Sequence, residues 1–376
     1  MNASISPSLL PIPPCGALIV RHYKGGQPLR ISWDDFGILK SIEAAASNED
    51  TNIWIAPGLV DLQVNGYDGV DFQREEAISE ASLLQAVRAL RRDGCYRFFL
   101  TLITTEWPKL LSRIGHYRSL IHRHPELRRA IAGWHLEGPF LSDQPGFSGA
   151  HNPAWMMDPS AQHIQQLSEV TAGDKVLLTL AGERPNADVA IAEAVRCGFV
   201  VSLGHTNSNE AETRNAVAAG ARGFTHLANG CPQQFDRHQN VLWNAIDEEL
   251  LTAGLIADGI HVSPKLFRIL HRAMDPKRIY WTTDAMAAAG APPGNYTLGE
   301  LELVVGQDTI VRNPKAQGFA GSALTPFEGI RRGAKMLGKP WQEVWDFFSV
   351  NPAIFMGLPA ELAPGSPAGF CLLRSE

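Results

Sequence analysis

The sequence predicts an α/β fold: eight strands alternating with helices and closing into a (β/α)8 TIM-like barrel, beside a small β-domain formed from the N- and C-terminal segments. Three observations lead there. Apolar, strand-like runs alternate with amphipathic, helix-like segments through most of the chain, the pattern of a parallel α/β fold. Five of those runs stop at or just before Glu137, His205, His226, the pair Asp258 and His261, or Asp284. Residues 1–56 break the alternation and read as short strands with a turn at Lys24-Gly25-Gly26.

Taken in order, strands are expected near 53–65, 97–104, 130–137, 175–183, 199–206, 223–229, 251–261 and 278–285. Each is a continuous apolar run, as strands buried on both faces are. The helix expected over 78–93 carries Ala81, Leu84, Val87 and Leu90 at helical spacing. A short helix over 209–219 has Asn207 or Ser208 as its N-cap, and one over 263–274 has Pro264 in its first turn. Residues 301–305 and 309–312 flank Gly306-Gln307-Asp308 as a hairpin, and 326–337 and 341–348 read as helices. The tail 365–375 is short enough to pair with the N-terminal strands. The division that follows is 1–56 and 361–376 as two parts of the small β-domain and 57–360 as the barrel.

The bulk numbers exclude several classes. With 376 residues, 45% hydrophobic and 19% charged, the chain suits a globular enzyme. A net charge of −6 argues against a nucleic-acid or anionic-membrane partner. The five cysteines are scattered with no C-x-x-C pair, so the expected setting is a reducing cytoplasm. Met1 to Val20 lacks a basic start and carries four prolines, unlike a signal peptide, and no apolar stretch reaches membrane-spanning length.

A polar group at the C-terminal end of a barrel strand is exposed at the face where barrel enzymes keep their chemistry. Five such ends supplying Glu, His, His, His and Asp are the inventory for binding a divalent metal and moving a proton. Taken singly, a strand-end histidine reads equally well as a hydrogen-bonded structural residue, and Asp284 as the cap of a short helix begun by Ala285-Met286-Ala287.

In combination the motifs resemble those of the N-acetylglucosamine-6-phosphate deacetylases of the amidohydrolase superfamily. The matching segments include Pro57-Gly58-Leu59-Val60-Asp61, His135-Leu136-Glu137-Gly138-Pro139, Gly149-Ala150-His151-Asn152-Pro153 and Gly204-His205-Thr206-Asn207. They continue with Thr225-His226-Leu227-Ala228-Asn229, Asp258-Gly259-Ile260-His261, Thr283-Asp284-Ala285 and Ala320-Gly321-Ser322, in the family's order over roughly residues 55–357. The resemblance implies metal-dependent hydrolysis of the acetamide of N-acetylglucosamine 6-phosphate, or a close N-acetylhexosamine 6-phosphate, to acetate and the amino sugar phosphate. It implies Glu137, His205 and His226 as ligands of one divalent ion, Zn first and Fe, Mn or Co as alternatives, with Asp284 as general base and then general acid. Substrate-contacting positions by the same resemblance are Ala150, His151, Asn229, Gly230, Arg237, His261, Phe319, Ala320 and Gly321. Arg237 stands where the family's phosphate-binding arginine reaches a neighbouring subunit's site, which implies a homodimer; read alone, it is a solvated loop charge.

Many amidohydrolases carry His-x-His at the end of the first strand. This chain has Gln63-Val64-Asn65, a vestigial second-metal position, because amides are poor zinc ligands. Gly230-Cys231 replaces the family's commoner Ala-Met, and the loop 142–148 is longer than in many members. Both border the sugar pocket, so they bear on which hexosamine is preferred. Alternatives are a related amidohydrolase acting on another N-acyl sugar or a cyclic amide, and a non-catalytic sugar-phosphate sensor. Glu183 ends the fourth strand on the active face without an assigned role. His135 falls at the opposite parity to a ligand and is expected to pack. His116, His122 and His124, with Arg113, Arg118 and Arg123, are expected on a solvated helix.

Overall fold

The computed structural model describes residues 7–46, 51–315, 318–367 and 369–375. Expectations that touch 1–6, 47–50, 368 and 376 fall outside the described residues at those positions. Eight strands form one parallel sheet in chain order: β1 (Leu59–Val64), β2 (Cys95–Ile103), β3 (Ile131–Glu137), β4 (Val176–Leu180), β5 (Val200–Leu203), β6 (Gly223–Phe224), β7 (Thr252–Ile256) and β8 (Ile279–Thr282). The ends of the sheet meet at a seam that holds a buried charge. Val64 bridges Ala285, and the Asn65 N–H donates to the Ala285 carbonyl at 2.7 Å. Below them the Asp61 carboxylate accepts from the Thr282 and Thr283 hydroxyls at 2.5 and 2.6 Å. Burial pushes the Asp61 carboxyl up to about 6 in spite of those bonds. The expected (β/α)8 barrel is thus present.

The first expected strand, 53–65, divides between two sheets. Ile53–Pro57 pairs antiparallel with the tail strand Phe370–Arg374, whereas Leu59–Val64 enters the barrel. Gly58 is the pivot, its N–H donating to the Gly369 carbonyl. Both halves are apolar, so periodicity does not reveal the break. The outer sheet has six strands, ordered Ser8–Leu10, Phe370–Arg374, Ile53–Pro57, Gly16–His22, Pro28–Trp33 and Leu39–Ala44. Its own core gathers Val20, Ile31, Trp33, Ile55, Phe370 and Leu372.

Helix Glu80–Arg92 is capped by the Ser79 hydroxyl, which accepts from the Ser82 N–H. It buries Leu83, Ala86, Val87 and Leu90, so the buried stripe is rotated from the expected one and Ala81 lies exposed. Helix Glu210–Ala219 is capped by Asn209, not Asn207 or Ser208: Asn209 and Glu212 exchange side-chain-to-backbone bonds in a capping box. The hairpin expected around 306–308 is present and gains a third strand, Gly294–Leu298, in full antiparallel register with Leu301–Val305. Residues 341–348 turn through α-helix only to Val344 and continue as a 3-10 turn. No helix among the described residues is long and apolar enough to cross a membrane.

Candidate active site

The site is built where β3, β5, β6, β7 and β8 end. Glu137 is the last residue of β3, while His205, His226 and Asp284 each follow their strands by two residues. Those three adopt positive φ, at 47°, 32° and 52°. A left-handed conformation costs a residue with a Cβ about 1–3 kcal/mol and clusters at functional sites. Backbone bonds hold all three: the Ser142 N–H to the His205 carbonyl, the Leu227 N–H to Gly254, and the Ser322 N–H to Asp284. The left-handed turn at Asp284 and its tie to Ser322 also explain why no helix starts at Ala285.

Glu137 is the hub. Its Oε1 lies 2.8 Å from His226 Nε2 and 3.3 Å from His205 Nε2, and all three residues are buried. Burial opposes the Glu137 charge, but the close approach of the His205 and His226 imidazoles holds its carboxyl well below the usual range. The His205 tautomer is set from outside. Its Nδ1 lies 2.7 Å from the Phe147 carbonyl, which can only accept, so Nδ1 carries the proton and Nε2 presents a lone pair inward. Two imidazoles and one carboxylate with ligand atoms within 4.8 Å of one another fit a borderline divalent ion.

His151 has the opposite tautomer. Its Nδ1 accepts from the Thr104 N–H at 3.3 Å, with the Thr104 hydroxyl at 2.9 Å, so Nε2–H is a donor facing Glu137 Oε2 at 3.9 Å. Burial, then the neighbouring His205, pushes His151 down to about 3, which keeps it neutral. Glycine is required on both sides of His205. A Cβ at Gly149 or Gly230 would sit 2.7 Å from the imidazole, and both have positive φ.

Asp284 faces the same cavity. Burial first, then the charge of Glu137, raises its carboxyl to about 7. Gln63 and Asn65 act as hydrogen-bond donors to the two acids. Gln63 Nε2 donates to Glu137 Oε2 at 3.0 Å, and Asn65 Nδ2 donates to Asp284 Oδ1 at 2.7 Å. At the far wall, His261 Nδ1 meets Asp258 Oδ2 at 2.6 Å, while its Nε2 is buried without a partner. The His261 ring packs against Phe319 at 4.9 Å.

The cavity has a volume of about 700 Å³, and its lining includes Ala150, His151, Asn229, Gly230, His261, Phe319 and Gly321 together with Glu137, His205, His226, Asn65 and Asp284. Two expected positions stand apart. Ala320 is buried and lines an adjoining pocket instead. Arg237 is exposed and outside the cavity of its own chain, its carbonyl accepting from Trp243 Nε1. His135 packs as expected, fully buried with Nε2 2.8 Å from the Thr179 hydroxyl. Arg113 is not solvated: it is 3% exposed. The role of Glu183 is to clamp the segment after His205. It accepts from the Thr206 hydroxyl, from the Asn207 N–H at 2.7 Å and from the Ser208 hydroxyl at 3.1 Å. Sequence reasoning gave no role of their own to Asp61, Thr104 or Asp258. Only Asp258, three residues before His261, carried a readable signal.

This geometry can be set beside known proteins. No family model matches the chain. A Danio rerio N-acetylglucosamine-6-phosphate deacetylase is 30% identical over 367 residues, 95% of this chain and 88% of the relative. The Homo sapiens protein of the same name is 32% identical over 332 residues, 85% of this chain and 79% of its own length. The chain belongs to the N-acetylglucosamine-6-phosphate deacetylase family. A Mycobacterium smegmatis deacetylase, a mutant solved in complex with N-acetyl-D-glucosamine-6-phosphate, superposes with a TM-score of 0.83 at 28% identity, covering 95% of both chains. As a member of this deacetylase family the chain is an amidohydrolase, and its buried Glu137, His205 and His226 are a possible metal site.

Proposed function

We propose that the chain deacetylates N-acetylglucosamine 6-phosphate, hydrolysing the acetamide C–N bond to give acetate and glucosamine 6-phosphate. The observation that carries this reading is one cavity holding the Glu137–His205–His226 trio beside the half-buried acid Asp284. The trio would hold a divalent ion, zinc first on the donor set, whose Lewis acidity would lower the pKa of water toward about 7 and polarise the acetamide carbonyl.

The remaining work falls to the chain's own residues. Asp284 takes a proton from the attacking water and returns it to the amine nitrogen as the C–N bond breaks. Asn65 occupies Asp284 Oδ1, which orients the carboxylate and leaves Oδ2 for the proton. His151 offers Nε2–H, and His261 offers an unpaired Nε2, to polar groups of the sugar or the acetamide. Asn229 and Gly230 line the wall expected to meet the sugar phosphate. With Gln63 and Asn65 bonded to Glu137 and Asp284, the reading includes one metal ion per chain.

Arg237 is exposed and does not line its own cavity, and this supports a homodimer in which it reaches the partner's substrate phosphate. The same reading divides the chain into a barrel over 57–360 and a small β-domain from 1–56 and 361–376. A cytoplasmic setting accords with five cysteines that are all free. The test is acetate release from N-acetylglucosamine 6-phosphate by zinc-loaded protein. Binding of the sugar phosphate with no acetate release would overturn the proposal in favour of a sensor.

A further inference from the structure

Beside the catalytic cavity lies a second pocket of about 680 Å³, and Ile103, Ala150, His151, Leu298 and Phe319 line both. The second pocket reaches back to helix Trp107–Arg123, whose Lys109 and Arg113 line it one helical turn apart. Arg113 is unusual. It is 3% exposed, its Nε has no hydrogen-bond partner, and among the described residues no carboxylate pairs with it. A guanidinium that far from water is ordinarily hydrogen-bonded, because an unmet buried donor is costly.

The neighbouring acids do not meet that need. The Asp71 carboxylate is already taken by the Gln73 N–H, the Thr297 hydroxyl and the Gly299 N–H, and it feels the Arg113 charge without pairing with it. Glu76 pairs with Arg74, and Glu302 with Lys315. Glu300 is exposed at the mouth. The pocket therefore offers a planar cation with open donors at Arg113, and its lining adds a second, exposed cation at Lys109 and the Asn152 amide.

We propose that this side pocket is a subsite for a carboxylate carried by the substrate beyond its N-acetylhexosamine core, gripped by Arg113 and supported by Lys109. A guanidinium fork matches a carboxylate's two oxygens, and a pocket that shares lining residues with the catalytic cavity is near enough for one extended molecule to occupy both. The inference rests on the deacetylase reading for the catalytic cavity. The carboxylate can be reached from either end of the substrate: as the end of an N-acyl group longer than acetyl, or as a carboxyalkyl ether on a ring hydroxyl.

Two substrate pairs separate those sources. In the first, N-succinyl glucosamine 6-phosphate is compared with its uncharged N-butyryl counterpart. In the second, a 3-O-carboxymethyl ether of N-acetylglucosamine 6-phosphate is compared with the 3-O-ethyl ether. At least one charged member should exceed its neutral partner in kcat/KM by about tenfold, and the pair that shows it names the source. Arg113→Gln and Lys109→Gln should each shrink that ratio several-fold; Lys109 is exposed, so its variant tests the site even if Arg113→Gln does not fold. No preference in either pair, or a preference that both variants keep, overturns the subsite. Calorimetry of zinc-loaded protein with sodium succinate needs no turnover. Succinate should bind in the millimolar range and more weakly to Lys109→Gln. Equal affinity for wild type and variant would place it elsewhere and overturn the subsite, even if the protein released no acetate.

Discussion

Asp284→Asn separates chemistry from scaffold, because the two consequences have opposite signs. The substitution keeps the side chain's size, and its amide oxygen can still accept from Asn65 Nδ2, 2.7 Å away in the wild type. It removes the proton acceptor, so kcat should fall by about 10²–10⁴-fold, the usual contribution of a positioned general base. Stability should move the other way. The Asp284 carboxyl is raised from 3.8 to about 7, burial first and the Glu137 charge second. The folded state thus holds this proton more tightly than the unfolded chain. That contribution is complete below pH 3.8 and is lost as pH rises through about 7. At about 1.4 kcal/mol per pH unit, ionising Asp284 in the metal-free fold costs roughly 4 kcal/mol by pH 8. The neutral variant escapes most of this. Metal-free Asp284→Asn should therefore outlast wild type in thermal or urea unfolding at pH 8, with the advantage vanishing near pH 4. Added zinc narrows the gap, since a nearby cation favours the ionised acid. A variant that kept a tenth of wild-type acetate release, or that was no more stable at pH 8, would refute this account of Asp284.

Other consequences follow from single residues. Gly230→Ala should cut acetate release by tenfold or more, because its Cβ would press on the His205 imidazole at 2.7 Å, in a backbone conformation that disfavours any Cβ; an unchanged rate would contradict the packing argument. Arg237→Ala should raise KM for phosphorylated substrate and leave KM for the unphosphorylated sugar alone, with mixed heterodimers of Arg237→Ala and Asp284→Asn regaining activity if the arginine serves the partner. His271 accepts from Trp281 Nε1 at 3.1 Å and is pushed down to about 4 by burial, then by the Lys339 charge. Its folded pKa is depressed, so stability is full above pH 6.5 and is lost as pH falls from 6.5 to about 4, by up to about 3 kcal/mol. His271→Gln keeps an acceptor and should flatten that part of the stability profile; an unaltered profile would assign the acid lability elsewhere.

Much of the candidate site was legible because a buried parallel strand is a continuous apolar run, and the residue that interrupts the run marks one face of the barrel. Glu137, His205, His226 and Asp284 stood out for that reason. What the runs conceal is backbone conformation. Positive φ at His205, His226 and Asp284 aims their side chains, and no composition signal encodes it in non-glycine residues. The break at Gly58 was hidden because Ile53–Pro57 and Leu59–Val64 are equally apolar although they serve different sheets. Arg113 read as solvated because it lies among other helix charges, but it is buried in a pocket that segments distant in sequence, such as those of Asn152 and Gly299, also line. Gln63 and Asn65 looked vestigial in sequence. In the fold their amides are bonded to the two acids, a relation visible only once β1, β3 and β8 converge.

The central claim is that one divalent cation sits among Glu137, His205 and His226. Anomalous diffraction at the zinc edge from crystals of the zinc-loaded protein tests it most directly. The account requires one peak per chain, about 2.0–2.2 Å from a Glu137 oxygen and from Nε2 of both histidines. It also requires loss of that peak in Glu137→Gln crystals grown the same way. A peak elsewhere, or two metals bridged at the Gln63–Asn65 end of the cavity, would contradict it.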